Sequence, residues 1–483
     1  MYAYSIEQVR ALEEAAIAEQ GVDALMQRAA AAVAATGAQL LRAARGAVYG
    51  ARVLVLVGPG NNGGDALFAA ARLARRGAAV TAVSCLGEPH PAGGAALLAS
   101  GGRLVTLADH PSSDRPAYDL VVDGILGIGG RPGLSGAVAD LASWLVEQRI
   151  PVVAVDLPSG VAADTGAVPG VAIRATHTVT FGQPKACHLL EPALSHCGRI
   201  AVVDIGLPDD PAVQPMLTGL DMAGLARAWP YPDATSDKYA RGVVGVDTGS
   251  DQYPGAAVMS VIGAVYAGAG MVRFQGAERP AKLIESRLPN VVFGSGRVQA
   301  YLFGSGWGDR PDGAEVLAKA AQEGLPAVVD ADGLKYLPAS LPNGWLLTPH
   351  AGELAKLLGR ERSWVTEDPI RAVRAGVDRT GATVLLKGAS QLVAGPDEDP
   401  VRVAVPGPAW TAQAGSGDVL GGACATLLAA GKSALEAGQL AASLQAVAAA
   451  ARPGVIPPQE LAEGMGRELG RLQRLADERG AVR

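Results

Sequence analysis

Aromatic residues make up only 4% of this sequence, cysteine occurs four times and histidine six times. The cysteines, Cys85, Cys187, Cys197 and Cys424, form no CxxC pair and no metal-ligand spacing. That excludes a disulfide framework or zinc cluster and leaves isolated thiols suited to a reducing compartment. No uncharged apolar run reaches membrane-spanning length, and the N-terminus lacks the basic, apolar and cleavage regions of a signal peptide, so a cytoplasmic protein without a membrane partner is expected. The formal net charge of −6 is spread over interspersed acids and bases. Without a basic stripe, nucleic acid is excluded as a partner. Small-molecule chemistry remains.

What is present is a chain of 483 residues that is 49% hydrophobic and carries 63 glycines, the composition of tightly wound α/β layers joined by glycine turns. At about 150 residues per domain, two large units are expected. Residues 5–8 (SIEQ) read as a capping box opening a helix to about Gln20, followed by a second helix from Val22 into Arg45. Residues 53–57 are a continuous apolar run bounded by Gly58, Pro59 and Gly60, as a parallel strand buried on both faces requires. A loop over 61–65 (NNGGD) and a helix to about Arg76 come next. Further strands are expected over 79–85, 118–123, 151–156, 178–181 and 200–204, giving a doubly wound parallel sheet within a domain of residues 1–215. Prolines at 208, 211, 215, 230 and 232 mark a linker. A second α/β series over 225–483 places strands at 243–246, 300–303, 327–329, 346–347 and 383–386, then helices from Gly417 and Ala434. Residues 463–483 mix leucines with charges and read as a solvated terminal helix.

The heptapeptide 412–418, AQAGSGD, opens a small-residue helix. A glycine-rich turn at a helix start aims backbone N–H groups at an anion. Gly415 and Gly417 let the backbone approach a phosphate, and Asp418 puts a carboxylate where it can take the proton of an attacking hydroxyl. This suits phosphoryl transfer to an alcohol. Upstream, Asp65, Asp123 and Asp156 all fall at carboxyl ends of expected strands, where open parallel sheets bind ligands. Each alone reads more readily as a helix cap or turn acid. The glycines of 61–65 and of 127–133 (GIGGRPG) tip the balance, because two donor-lined concavities facing one cleft suit a dinucleotide diphosphate.

NNGGD, DGILGIGGRPGLSG (123–136), VDLPSG (155–160) and TVTFGQPK (178–185) closely resemble the N-terminal domain of the bifunctional NAD(P)H-hydrate repair enzymes, over most of residues 1–210. The resemblance implies a Rossmann-like domain that interconverts the R and S epimers of hydrated NADH and NADPH, NADHX and NADPHX. It implies substrate contacts from Asn61, Asn62, Gly63, Gly64 and Asp65, and from Gly127, Ile128, Gly129, Gly130, Arg131, Pro132 and Gly133. It implies a catalytic Asp156 at the nicotinamide ring, and a potassium ion on Asn62, Asp123 and Ser159, whose oxygens suit so hard a cation. Ala66 departs from the family, whose loop often continues with glycine, and is expected to be the first helical residue.

SDKYARG (236–242), TGSDQYPGAA (248–257), FGSGWG (303–308), DADGL (330–334), LTPHAGE (347–353), LLKGAS (385–390) and AGSGDVL (414–420) resemble, in order, the dehydratase domain of the same enzymes, a ribokinase-like fold. The resemblance implies that ADP, or ATP in some members, phosphorylates the 6-hydroxyl of the S epimer in the presence of magnesium. Loss of phosphate then restores NAD(P)H. Asp418 is the implied base and, with Ala257, Gly306 and His350, a substrate contact; Lys387, Gly388, Ala389, Ser390 and Gln391 with Gly415, Ser416 and Gly417 are the nucleotide contacts. Glu353 resembles a magnesium-binding glutamate of related vitamin kinases, although an acid and a histidine at a helix start have a plainer use as caps. Where the family reads SHK, this chain has Asp237 before Lys238, so no role passes to position 237. A homo-oligomer is also implied. Two rival readings stay open: a ribokinase-like kinase of a vitamin precursor, since GxGD is shared across that class, and a first domain that only binds nucleotide.

Overall fold

The computed structural model describes residues 1–110, 117–397 and 400–480, and it forms two compact units: Tyr2–Met216, and Met1 with Leu217–Arg483.

In the first unit seven parallel strands lie in the order Arg103–Thr106, Ala79–Ser84, Arg52–Val57, Leu120–Gly124, Val152–Val155, His177–Phe181, Arg199–Val203. The chain order therefore reverses between Arg52–Val57 and Leu120–Gly124, and the crevice at such a reversal is where doubly wound sheets bind ligands. Arg52–Val57 shows why the run is apolar throughout: Val53, Val55 and Val57 pack under the helices Val22–Arg45 and Asn61–Ala74, while Leu54 and Leu56 pack on the opposite face beneath Gly136–Gln148. The capping box is present, with Ser5 Oγ accepting from Gln8 N–H at 3.2 Å and Gln8 Oε1 accepting from Ser5 N–H at 2.9 Å.

Residues 61–65 are not a loop. They are the first turn of the helix Asn61–Ala74, capped by Gly60, which makes Ala66 its sixth residue. Packing overrides the poor helix propensity of two asparagines and two glycines: a Cβ on Gly63 would sit 2.1 Å from the Gly58 carbonyl oxygen, and one on Gly64 would sit 3.0 Å from the His90 ring.

In the second unit the strand order is Leu217–Gly219, Val401–Val403, Leu392–Ala394, Thr383–Leu386, Trp345–Leu347, Ala327–Val329, Ala300–Phe303, Val243–Asp247, Met271–Phe274, Val292–Phe293. Leu392–Ala394 runs antiparallel to both neighbours and the other pairings are parallel. The helix Ser416–Ala429 packs on Pro254–Tyr266 so closely that a Cβ on Gly422 would lie 2.1 Å from the Ser260 carbonyl oxygen.

Two further expectations are corrected. The proline-rich stretch is not all linker: Leu217–Gly219 joins the second sheet, and the helix Met222–Ala228 buries Leu225 and Ala226 in its core. The terminal helix, Pro458–Gly480, is amphipathic and not solvated all round, because Leu461, Ala462, Met465 and Leu472 complete that core; residues 481–483 lie outside the described residues. Among the described residues no helix is long and apolar enough to cross a membrane.

Candidate functional sites

Asp156 follows the Val152–Val155 strand in a left-handed backbone conformation, φ 67°, which costs a non-glycine residue about 1–3 kcal/mol unless its surroundings enforce it. Its N–H donates to Val179 O at 2.8 Å, and its carbonyl accepts from His188 Nε2 at 3.0 Å. The His188 tautomer follows from its other nitrogen, since Nδ1 accepts from the Lys185 N–H at 3.0 Å and the proton must then be on Nε2. Burial pushes His188 down to about 4, so it stays neutral. The carboxylate of Asp156 receives Lys185 Nζ at 2.5 Å and Thr180 Oγ1 at 3.0 Å, and Lys185 is wholly buried. Burial alone raises the Asp156 carboxyl, but Lys185 and these hydrogen bonds outweigh it and hold the group below the usual carboxylate range.

Asp65 is pushed the other way. Burial lifts its carboxyl well above the ordinary value, and the charges of Asp156 and Glu13 add to the shift. Its Oδ1 is buried without a hydrogen-bond partner among the described residues, and so is Asn62 Nδ2. Asp123 and Ser159 are fully buried together: Ser159 Oγ donates to Asp123 Oδ1 at 2.6 Å, and Ser159 N–H to Oδ2 at 2.8 Å. Burial raises Asp123 to about 6 against these hydrogen bonds. Ser159 Oγ also accepts from Leu126 N–H at 2.9 Å, and the Asn62 amide lies 3.1 Å from where a Cβ on Gly127 would be. Asn62, Asp123, Ser159 and the start of the 127–133 turn are therefore one cluster, and Asp156 is close enough to shift Asp65. Lys185, Thr180, His188 and Glu13 received no role from the sequence. The available signal was Lys185 itself, a lone cation amid small and apolar residues.

In the second unit Gly415 caps the helix Ser416–Ala429 with φ 93°. The Ser416 N–H is used by Gln413 O at 3.3 Å, so the amides aimed past the helix start are those that follow it. Asp418, in the first turn, is raised to about 6 by burial and by Asp330, with Ser305 and Lys387 acting against the shift. Lys387 Nζ binds Asp330 Oδ1 at 2.6 Å, and Thr348 and Ser305 donate to Asp330 at 2.9 and 3.0 Å. Burial disfavours the charged Lys387, but Asp330, Glu353 and Asp418 outweigh it and raise its pKa. A Cβ on Gly417 would meet Lys387 Nζ at 3.3 Å, which places the bare glycine beside this ion pair.

Lys387, Gly388, Ala389, Ser390 and Gln391 form the connection between the antiparallel strands Thr383–Leu386 and Leu392–Ala394. His350 is tied to Lys387 by a parallel bridge, and the Lys387 N–H reaches Pro349 O at 2.9 Å. His350 and Glu353 cap the helix Ala351–Leu358 reciprocally: His350 Nδ1 accepts from Gly352 and Glu353 N–H, and Glu353 Oε2 accepts from the His350 N–H. A cavity of about 890 Å³ is lined by Gly306, Gly415 and Asp418 together with Tyr253, Met259, Asp332 and Lys335. Ala257 is fully buried behind it, with its Cβ against Gly249, while Pro254, Gly255 and Ala256 face the cavity. Asp330, Ser305 and Thr348 are the members of this site to which the sequence gave no role.

A doubly wound unit with carboxylates at its reversal point, joined to a unit with a glycine-capped, acid-bearing helix beside a buried lysine, defines a two-site enzyme of nucleotide chemistry. Two family models match the chain: YjeF-related protein N-terminus over residues 22–187, and NAD(P)H-hydrate dehydratase over residues 244–463. The bifunctional NAD(P)H-hydrate repair enzyme Nnr of Mycobacterium tuberculosis is 43% identical over 451 residues, 91% of each chain. That of Mycobacterium leprae is 41% identical, covering 94% of this chain and 96% of the relative. The chain belongs to the family of bifunctional NAD(P)H-hydrate repair enzymes. Among solved structures, the ADP/ATP-dependent NAD(P)H-hydrate dehydratase of Bacillus subtilis, co-crystallized with ATP and Mg2+, aligns with 52% of this chain and 97% of its own at a TM-score of 0.50 and 21% identity, a likeness of fold.

Proposed function

We propose that the Tyr2–Met216 unit epimerises NADHX and NADPHX, and that the Leu217–Arg483 unit dehydrates the S epimer with ADP, releasing AMP and phosphate. The observation that carries the dehydratase half is Asp418, a carboxyl raised to about 6 in the first turn of a glycine-capped helix and lining a cavity of about 890 Å³.

In dehydration Asp418 takes the proton of the substrate's 6-hydroxyl as its oxygen attacks the β-phosphorus of ADP, the bond to AMP breaks, and the amides after Gly415 with Lys387 balance the charge on the transferred group. Phosphate then leaves C6, and loss of a C5 proton restores the ring double bond. Bound with the nucleotide phosphates, magnesium would neutralise part of their charge. Glu353 is engaged through both oxygens with His350, at 2.8 Å to its N–H and 3.4 Å to Nε2, so its capping use is the better supported.

In epimerisation two carboxyls pushed in opposite directions supply acid and base. Asp65, whose carboxyl burial pushes toward the protonated form, gives a proton to the departing 6-hydroxyl and leaves a ring iminium; water adds to the other face and yields its proton to ionised Asp156. The donors of Asn62, Asp123 and Ser159 fit a potassium ion: they offer oxygen, and among the described residues Asp123 has no cationic side chain as a hydrogen-bond partner. Bound there, potassium supplies positive charge next to the 127–133 turn. All four cysteines are free thiols, in keeping with a reducing cytoplasm. The test is recovery of dihydronicotinamide absorbance from pure R-NADHX with ADP, which needs both reactions. Recovery from S-NADHX alone removes the epimerase half of the proposal, and recovery from neither removes the whole.

A further inference from the structure

We propose that the helix Ile6–Gln20 is a wall of the epimerase site and that Arg10 is its contact to the diphosphate of the hydrated dinucleotide, an inference that rests on the epimerase reading above. The helix precedes the family match, which begins at residue 22. It is nonetheless fastened to the site at several points. Ile6 N–H donates to Asp164 Oδ1 at 2.8 Å, and the Ile6 side chain packs in one cluster with Ile128 of the 127–133 turn and Leu157, the neighbour of Asp156. Just upstream, Tyr4 N–H donates to Pro184 O at 2.8 Å, and Tyr4 forms a parallel bridge with Lys185.

One turn into the helix, Arg10 Nη2 lies 3.4 Å from where a Cβ on Gly129 would sit, so the guanidinium stands over the bare face of the glycine turn. Arg10 is exposed and makes no ion pair or hydrogen bond among the described residues. One turn further, half-buried Glu13 is within electrostatic reach of Arg10, Lys185 and Asp156. The helix thus carries one side chain beside the turn suited to a diphosphate and another within reach of the carboxylate suited to the ring. An arginine whose fork is not hydrogen-bonded among the described residues, beside backbone amides, completes an anion site because that fork can take two phosphate oxygens at once. If Arg10 is merely a solvated surface arginine, its removal changes nothing.

The experiment is steady-state epimerisation of R-NADHX by the full chain and its Arg10→Gln and Arg10→Lys variants, with dehydration of S-NADHX measured on the same preparations. Arg10→Gln should raise the epimerisation KM by about 10 to 100-fold, Arg10→Lys should restore part of it, and dehydration should keep its wild-type rate. The hydrate of reduced nicotinamide riboside, which lacks phosphate, should be turned over alike by wild type and Arg10→Gln. An active wild type with an unchanged KM in Arg10→Gln overturns this inference alone. A wild type that does not epimerise overturns the epimerase reading as well.

Discussion

Each unit places a buried lysine beside an aspartate pair, and the two arrangements differ in which carboxylate the lysine holds. In the first unit Lys185 binds Asp156, the residue assigned to the reaction, and keeps it ionised. In the second, Lys387 binds the neighbour Asp330 and leaves Asp418 raised to about 6. A lysine salt bridge keeps a carboxylate ionised to lower pH and makes it a weaker base. Diverting it to a neighbour leaves a base that is ionised at pH 7 yet basic enough to take an alcohol's proton. The lysine's choice of partner thereby sorts two similar aspartates into different work.

The largest expected effect is at Asp418. Asp418→Asn keeps the glycines and the cap but removes the base, so dehydration should fall about 100 to 10,000-fold, with ADP affinity and epimerisation little changed. Near-normal turnover of S-NADHX at saturating ADP would show that the raised carboxyl is idle. At Asp156 the informative change is to asparagine, since asparagine tolerates the positive φ that alanine does not. Asp156→Asn should slow epimerisation by at least about 100-fold and leave dehydration intact. Equal loss of both reactions would mean that the sites are coupled, contrary to the comparison.

The pH profiles should separate the sites next. Asp418 must be ionised to act, and its value of about 6 lies above the ordinary one, so kcat/KM for dehydration should drop about tenfold per unit as pH falls below 6. Asp156, held below the usual range, predicts no such loss for epimerisation at that pH. Epimerisation should instead decline on the alkaline side, as Asp65, raised by burial, gives up its proton. Matching acid limbs for the two reactions would break the contrast.

Features that depend on local order were legible in the sequence: the SIEQ cap, the run at 53–57, and the glycine-acid helix start at 415–418. Features that depend on which distant side chains meet were not. Lys185 reaches Asp156 across 29 residues, and Lys387 reaches Asp330 across 57, and no spacing rule predicts such a pair. Short strands such as Val292–Phe293, with both residues exposed, carry no pattern long enough to read. The first turn at 61–65 was hidden because its residues disfavour helix, and the close packing that demands glycine there is tertiary.

That last point gives the smallest and sharpest contrast, between two glycines near helix starts. A Cβ on Gly63 would lie 2.1 Å from a backbone oxygen, which cannot swing aside, whereas one on Gly417 would meet the end of the flexible Lys387 side chain at 3.3 Å. Gly63→Ala should therefore lower the unfolding temperature of its unit, the overpacking costing about 1–3 kcal/mol. Gly417→Ala should hold or slightly gain stability, because alanine is favoured over glycine in a helix by about 1 kcal/mol. Its cost should fall on the ligand: a methyl where the nucleotide phosphate approaches should raise the KM for ADP several-fold, about 1 kcal/mol of lost contact, with epimerisation untouched. Thermal melts and ADP titrations of the two variants distinguish a glycine kept for packing from one kept for phosphate, and a Gly417→Ala protein that melts early but binds ADP normally would reverse the assignment.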